Sequence, residues 1–186
     1  MGRRRQPEIR QRLLEALTDH VLDHGVPDRL QPLADAAGTS PRMLLYHFGT
    51  QQELLRAVLR QARLRQREDW GNLLRARAGE DYRTTLARAW TGITGSSGQR
   101  YLAVFDRLRE DPAQQLWPGF RREATTDWFA PLEEGLAALG RPELATLVLA
   151  VIRGLVMDLT TTGDRSRVDA AFEDFLGSLP TGPTRG

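Results

Sequence analysis

The strongest constraint on this chain is the spacing of its apolar residues, which recur at helical intervals and never alternate over a strand-length run. Ile9, Leu13, Leu17 and Val21 fall four apart, and Leu14 and Leu22 widen the stripe into a helix face. Pro7 fits the first turn of this helix, and Gly25 with Pro27 ends it. A short helix is predicted over 28–37, with Asp28 as its N-cap, Leu30, Leu33, Ala34 and Ala37 on its buried face, and Gly38 as its stop. Pro32 sits late in its first turn and makes its opening irregular. Ser40 then caps a helix over 41–48 that opens on Pro41, buries Leu44 and Phe48 and stops at Gly49. Thr50 caps a long helix carrying Leu54, Leu55, Val58, Leu59 and Ala62 toward Trp70. Further helices are predicted near 82–94, 98–110, 121–139, 142–162 and 165–179, about nine in total. Residues 180–186 read as a disordered tail. The fold class is all-α.

A chain of 186 residues, 40% hydrophobic and 27% charged, can bury a sizeable core. It has no cysteine, which removes disulfide frameworks, thiolate zinc sites, iron–sulfur clusters and cysteine nucleophiles together. The segment Met1-Gly2-Arg3-Arg4-Arg5-Gln6-Pro7 is basic with no apolar run behind it, so no signal peptide is expected. The net charge is only +2, but it is unevenly spread. Residues 1–67 hold 12 Arg against 7 acids, and residues 68–186 hold 14 Arg against 17 acids. A basic lobe followed by an acidic one points to a polyanionic partner for the first lobe alone.

Residues 33–48 are the informative stretch. Two short helices separated by a Gly-containing turn form the helix-turn-helix pattern, in which the first helix packs on the scaffold and the second presents its outer face to the major groove. Ala34 and Ala37 let the two helices approach closely, and Gly38 permits the sharp turn. With Leu44 and Phe48 inward, Arg42, Met43, Leu45, Tyr46 and His47 are left partly outside. An exposed Met-Leu-Tyr-His set is costly unless it contacts something.

Residues 9–59 resemble the N-terminal domain of the tetracycline-repressor (TetR-like) family of transcriptional regulators. The family pattern runs Ile-Ala-x-x-Ala-Gly-Val-Ser-x-x-x-Leu-Tyr-Tyr-His-Phe-x-Ser-Lys-Glu-x-Leu. This chain offers Leu33-Ala34, Ala37-Gly38-Thr39-Ser40, Leu44-Leu45-Tyr46-His47-Phe48 and Gly49-Thr50-Gln51-Gln52-Glu53-Leu54-Leu55. The resemblance implies a helix-turn-helix domain over 1–54, joined by a long helix to an effector-binding and dimerisation bundle over 55–179. It implies that Ser40, Pro41, Arg42 and Met43 open the recognition helix nearest the base edges. Arg42 there can read guanine O6 and N7 bidentately, and Met43 or Leu45 can pack on a thymine methyl. Tyr46 and His47 match positions that touch phosphates, and Thr50 caps the next helix so that its N-terminus faces a phosphate. Two positions depart from the pattern. Leu45 replaces the first tyrosine, and Gln51, at the lysine position, lacks that residue's charged phosphate contact. Backbone affinity then leans on Arg3, Arg4, Arg5 and Arg42, although Arg3–Arg5 read equally well as a solvated terminus.

Beyond residue 60 there are helices but no chemical motif. Residues 144–157 are nearly all apolar, yet Arg153 and the following Asp158 interrupt the run and it is too short to span a membrane. In the family the last two long helices pair two subunits, which implies a homodimer through Leu144, Val148, Val151, Ile152, Leu155, Phe172, Phe175 and Leu176. The family also binds small effectors in its middle bundle, which implies a pocket walled by Trp70, Trp90, Tyr101, Phe105, Trp117 and Trp128. The expected partners are a double-stranded DNA operator, an unidentified small molecule and a second copy of the chain, in the cytoplasm at the nucleoid. No cofactor, metal or enzymatic activity is expected: His20 and His24 lie four apart but have no third ligand, and no motif marks a Ser or Asp partner for His47 as a general base. Two other classes stay open, an α-helical enzyme using the bundle pocket and a protein adaptor using the Met43/Leu45/Tyr46 patch.

Overall fold

Two prolines decide where helices begin. The first four N–H groups of a helix have no partner within it, so a proline inside the first turn loses nothing, while one residue later it breaks a hydrogen bond. In the computed structural model, which describes residues 5–108 and 116–180, the second helix starts at Leu30 with Arg29 in the cap position and no side-chain cap. Asp28 is therefore not its N-cap. A start one residue earlier would require Pro32 to donate the hydrogen bond it lacks. Pro131 acts likewise. The helix expected over 121–139 is broken at Asp127 and Trp128, so that Pro131 falls in the first turn of a new helix.

The described residues form ten α-helices and no strand: α1 (Arg5–His24), α2 (Leu30–Ala36), α3 (Pro41–Phe48), α4 (Gln51–Leu74), α5 (Tyr82–Thr94), α6 (Ser96–Arg107), α7 (Phe120–Thr126), α8 (Phe129–Ala137), α9 (Ala145–Thr162) and α10 (Arg165–Ser178). A 3-10 turn, Pro142–Leu144, leads into α9. The break at Pro131 accounts for the tenth helix. Residues 181–186 of the expected tail 180–186 lie outside the described residues, as do Arg3, Arg4 and the side chain of Arg5.

Packing divides the chain into two units, residues 1–67 with 99–121, and residues 68–98 with 122–186. The division falls inside α4, between Arg67 and Glu68, where the charge balance of the sequence also changes sign. In the first unit, Leu14, Leu17, Val21 and Leu22 of α1 are buried with Leu33, Ala34, Leu44 and Phe48, and with Leu54, Leu55, Val58, Leu59 and Ala62 of α4. Each large apolar side chain so buried contributes about 1.5–3 kcal/mol. Segment 99–121 adds Tyr101, Val104, Phe105, Leu108 and Phe120. Arg63 of α4 is only 5% exposed, beside buried Gln66, whose Oε1 accepts from its guanidinium. The guanidinium lies 5.9 Å from both the Phe105 and the Phe120 ring centres, where the negative ring faces attract a cation. In the second unit α9 packs on α8 and α10, and α10 also packs on α5. Asp81 caps α5 by accepting from the Arg83 N–H at 2.9 Å, and Asp164 caps α10 through the Arg167 N–H at 3.2 Å.

Candidate nucleic-acid interface

The α2–turn–α3 segment is built as a support and a presented helix. The chain leaves α2 through Gly38 at φ +62, a left-handed conformation that a side chain resists. Ser40 Oγ then accepts from the Met43 N–H at 3.3 Å, and Pro41 occupies the first turn of α3. Leu44 and Phe48 are the buried residues of α3, four apart on the inner face. On its outer side Arg42, Met43, Leu45 and Tyr46 are exposed, Tyr46 to 66%, while Pro41 and His47 are half-buried. The Tyr46 and His47 rings meet edge to face at 5.1 Å. The structure thus brings Ser40, Pro41, Arg42, Met43, Leu45, Tyr46 and His47 onto one short helix and its cap.

At the start of α4, Thr50 and Glu53 cap each other. Thr50 Oγ1 accepts from the Glu53 N–H at 3.2 Å, and Glu53 Oε2 accepts from the Thr50 N–H at 2.8 Å and from its hydroxyl at 2.9 Å. This is the reciprocal capping box. The carboxylate can fold back because Gly49, at φ +87, has no side chain: a Cβ there would lie 2.3 Å from Glu53 Oε2. The Thr50 backbone N–H, then its hydroxyl, hold the Glu53 carboxyl below its ordinary value. The Thr50 end of α4 therefore already carries an anion of its own. Gln51 is half-buried and its amide donates to the Asp28 carbonyl at 3.1 Å, tying α4 to the loop before α2.

One residue here was invisible to sequence reasoning. Arg10 of α1 donates from Nε to the His47 carbonyl at 3.3 Å, and its Cζ sits 4.7 Å from the centre of the Phe48 ring. These partners are 37 positions away in sequence, beyond any periodicity signal.

The expected pocket residues fall three in each unit. In the first, Phe105 and Trp117 both lie on Phe120, with ring centres 5.3 and 5.4 Å away, and Tyr101 is buried. In the second, Trp70 faces Trp128 at 5.5 Å, while Trp90 stacks on Phe172 at 4.5 Å and donates to Asp169 at 2.7 Å. Arg63, which shares the buried stripe of Leu59, Ala62 and Gln66, lies over Phe105 and Phe120 of the first unit.

Of the expected pairing residues, Val148, Ile152 and Phe172 are buried within the second unit, and Leu144, Val151, Leu155, Phe175 and Leu176 are half-buried. The outer face of α9 is formed instead by Leu147, Ala150, Val151, Gly154 and Met157, with Leu147 49% and Met157 69% exposed. The segment Pro142–Thr162 is long and apolar enough to cross a membrane by length and composition, and a third of its apolar window is buried within the chain. Its Arg153 reaches Thr125 at 2.8 Å, and its Asp158 pairs with Arg167. His20 and His24 stack at 4.5 Å, and no group of three metal-ligating side chains occurs among the described residues.

A capped recognition-type helix set on two supporting helices defines a helix-turn-helix protein of the all-α class. No family model matches the sequence, and no curated protein matches it. Solved structures do. The chain is similar to a transcriptional regulator from Rhodococcus sp. Rha1, with 21% identity over 91% of this chain and 95% of that one and a TM-score of 0.68. It is similar to the multidrug-binding protein EbrR, solved with imidazole, with 25% identity over 100% and 96% of the two chains and a TM-score of 0.66. It is also similar to the TetR transcriptional regulator SCO0520 from Streptomyces coelicolor, with 20% identity over 95% and 99% and a TM-score of 0.59. The chain has the TetR-like regulator fold, helix-turn-helix and helical bundle together.

Proposed function

We propose that the protein is a DNA-binding transcriptional regulator, acting as a repressor that holds a palindromic operator as a homodimer and lets go when a small molecule binds. The observation that carries this reading is α3: a capped helix with Arg42 in its first turn, an outer face of Met43, Leu45 and Tyr46, and an inner face fixed by Leu44 and Phe48. In this reading Arg42 reads a base edge, and Tyr46 and His47 meet phosphates. Thr50 acts chiefly as the α4 cap, and Gln51 as a brace to Asp28. Residues 1–54 serve DNA, and residues 55–179 serve pairing and the effector.

The second copy covers the outer face of α9. Leu147, Ala150, Val151, Gly154 and Met157 form an apolar stripe with small residues at its middle, which lets a like helix approach closely. This outer stripe replaces buried Val148 and Ile152 as the contact set, with Leu144, Leu155, Phe175 and Leu176 at its border. The similarity to EbrR, a multidrug-binding protein solved with imidazole, supports a small-molecule effector. Its release of DNA is a population shift, so it must bind the arrangement that cannot hold DNA more tightly than the one that can. Helix α4 supplies residues to both units and is the coupling element. The protein then works in the cytoplasm, at the nucleoid, without catalysing a reaction.

Selection of duplexes from a genomic-fragment pool by the purified protein tests this reading. The expected product is a set of fragments sharing an inverted repeat, bound with an affinity whose logarithm falls by about 0.9 per phosphate contact with the logarithm of salt. Recovery of no duplex sinks it. Salt-insensitive capture of a protein through the Met43/Leu45/Tyr46 patch would establish an adaptor instead, and turnover surviving both Arg42→Ala and Tyr46→Ala, with no DNA bound, an enzyme.

A further inference from the structure

We propose that Arg10 belongs to the DNA-binding surface, as a positioning residue for α3 that also takes a backbone phosphate; the proposal rests on the DNA-binding reading above. Its Nε donates to the His47 carbonyl at 3.3 Å, one of the last carbonyls of α3, and its Cζ lies over the Phe48 ring, 4.7 Å from its centre. A cation at a helix C-terminus complements the helix dipole, and the face of a ring adds to the attraction. Through these two contacts α1 fixes the end of α3 opposite to the end that Ser40 caps. Arg10 is nevertheless exposed, and no carboxylate among the described residues pairs with it. Its two Nη groups are left with donors in a planar fork, the arrangement that suits phosphate oxygens. They lie beside His47, which the DNA-binding reading already sets against the sugar-phosphate backbone. Arg10 thereby restores part of the positive charge that Gln51 does not supply.

The test titrates salt against affinity for the duplex that the wild-type protein selects, using Arg10→Met, Arg10→Lys and Arg10→Gln. Arg10→Met is expected to reduce the log–log salt slope by about 0.9 for each protomer bound. It is also expected to weaken all sequences alike, by about five- to tenfold, with no relaxed base position. Arg10→Lys is expected to keep the slope while losing about threefold in affinity, because an ammonium supplies the charge but not the planar fork. Circular dichroism melts separate these effects from loss of folding. If Arg10→Met does not fold, Arg10→Gln is read in its place and carries the same expected slope. A slope unchanged in Arg10→Met or Arg10→Gln, with or without a lowered melting temperature, overturns the proposal and leaves Arg10 a structural staple. Failure of the wild-type protein to select any duplex overturns the DNA-binding reading, and this proposal with it.

Discussion

Helices α3 and α9 both expose apolar side chains that a folded chain would ordinarily hide, and the chemistry of the two exposed sets differs. On α3 the exposed set is short and chemically mixed: Met43, Leu45 and Tyr46 lie between Arg42 and His47. A partner for such a face must offer negative charge and shallow apolar features together, as a groove lined with phosphates and methyl groups does. On α9 the exposed set runs along one face with small residues at its centre, Leu147, Ala150, Val151, Gly154 and Met157. A partner for that face must be apolar and closely fitting, as a copy of the same helix is. Mixed chemistry suits a polar polyanion, and a uniform stripe suits another stripe.

The sharpest way to break this comparison uses two neighbours. Leu44 is fully buried and Leu45 is 38% exposed. Leu44→Ala is expected to destabilise the protein by about 2–5 kcal/mol in urea unfolding, the range for a core leucine. Leu45→Ala is expected to cost no more than about 0.5 kcal/mol of stability while weakening binding of the selected duplex. Equal destabilisation by the two would mean that the outer face of α3 is packed and the interface misassigned.

On α9 the matching change is Leu147→Glu with Met157→Glu, which sets unpaired charges into the proposed pairing face. Sedimentation is expected to show a dimer dissociation constant raised about 100-fold or more, in line with the several kcal/mol that an unpaired buried charge costs. Val151→Ala, at the edge of the stripe, should move it far less. A monomeric wild-type protein, or a dimer indifferent to both charges, would show that something other than a second copy covers α9.

Arg42→Ala is the corresponding change on α3. It is expected to cost about 1–3 kcal/mol in duplex affinity and to relax specificity at one position of each half-site. Uniform weakening across all sequences would make Arg42 a phosphate contact and leave base reading to Met43 and Leu45.

How far these features were legible in the sequence depended on whether the signal was local. The caps at Ser40 and Thr50, the turn at Gly38 and the inner pair Leu44 and Phe48 each lie within four residues of what they act on, and they appear in the structure as the spacing predicts. The Pro131 break was equally local and follows the rule that governs Pro32. It was missed because the apolar stripe runs on through it. On α9 periodicity failed for the opposite reason. Nearly every residue there is apolar, so the pattern fixes no phase, and only packing separates buried Val148 from exposed Leu147. Arg10 needed the third dimension, since a surface arginine on α1 announces nothing about the end of α3.

The smallest expected effect lies where the two kinds of charge meet, at Glu53. Its carboxylate accepts from the Thr50 N–H and hydroxyl at the mouth of α4, and these bonds hold its pKa below the ordinary 4.5. A depressed folded value means that the ionised form stabilises the fold. That contribution is complete above the ordinary carboxylate range and is lost as pH falls through the lowered value. Glu53→Gln keeps an acceptor for the same N–H but removes the charge, so its melting temperature is expected to sit slightly below wild type at neutral pH and to converge with it in acid. DNA binding should move the other way. Removing an anion from the α4 terminus leaves the selected duplex bound slightly more tightly at low salt, with the difference fading as salt is raised, because Coulomb repulsion between exposed charges is screened. A tighter complex from a less stable protein would separate what Glu53 does for the fold from what it does to the surface. Weaker binding at every salt concentration would mean that the Glu53 carboxylate itself supports the interface, by fixing the end of α4 against the DNA.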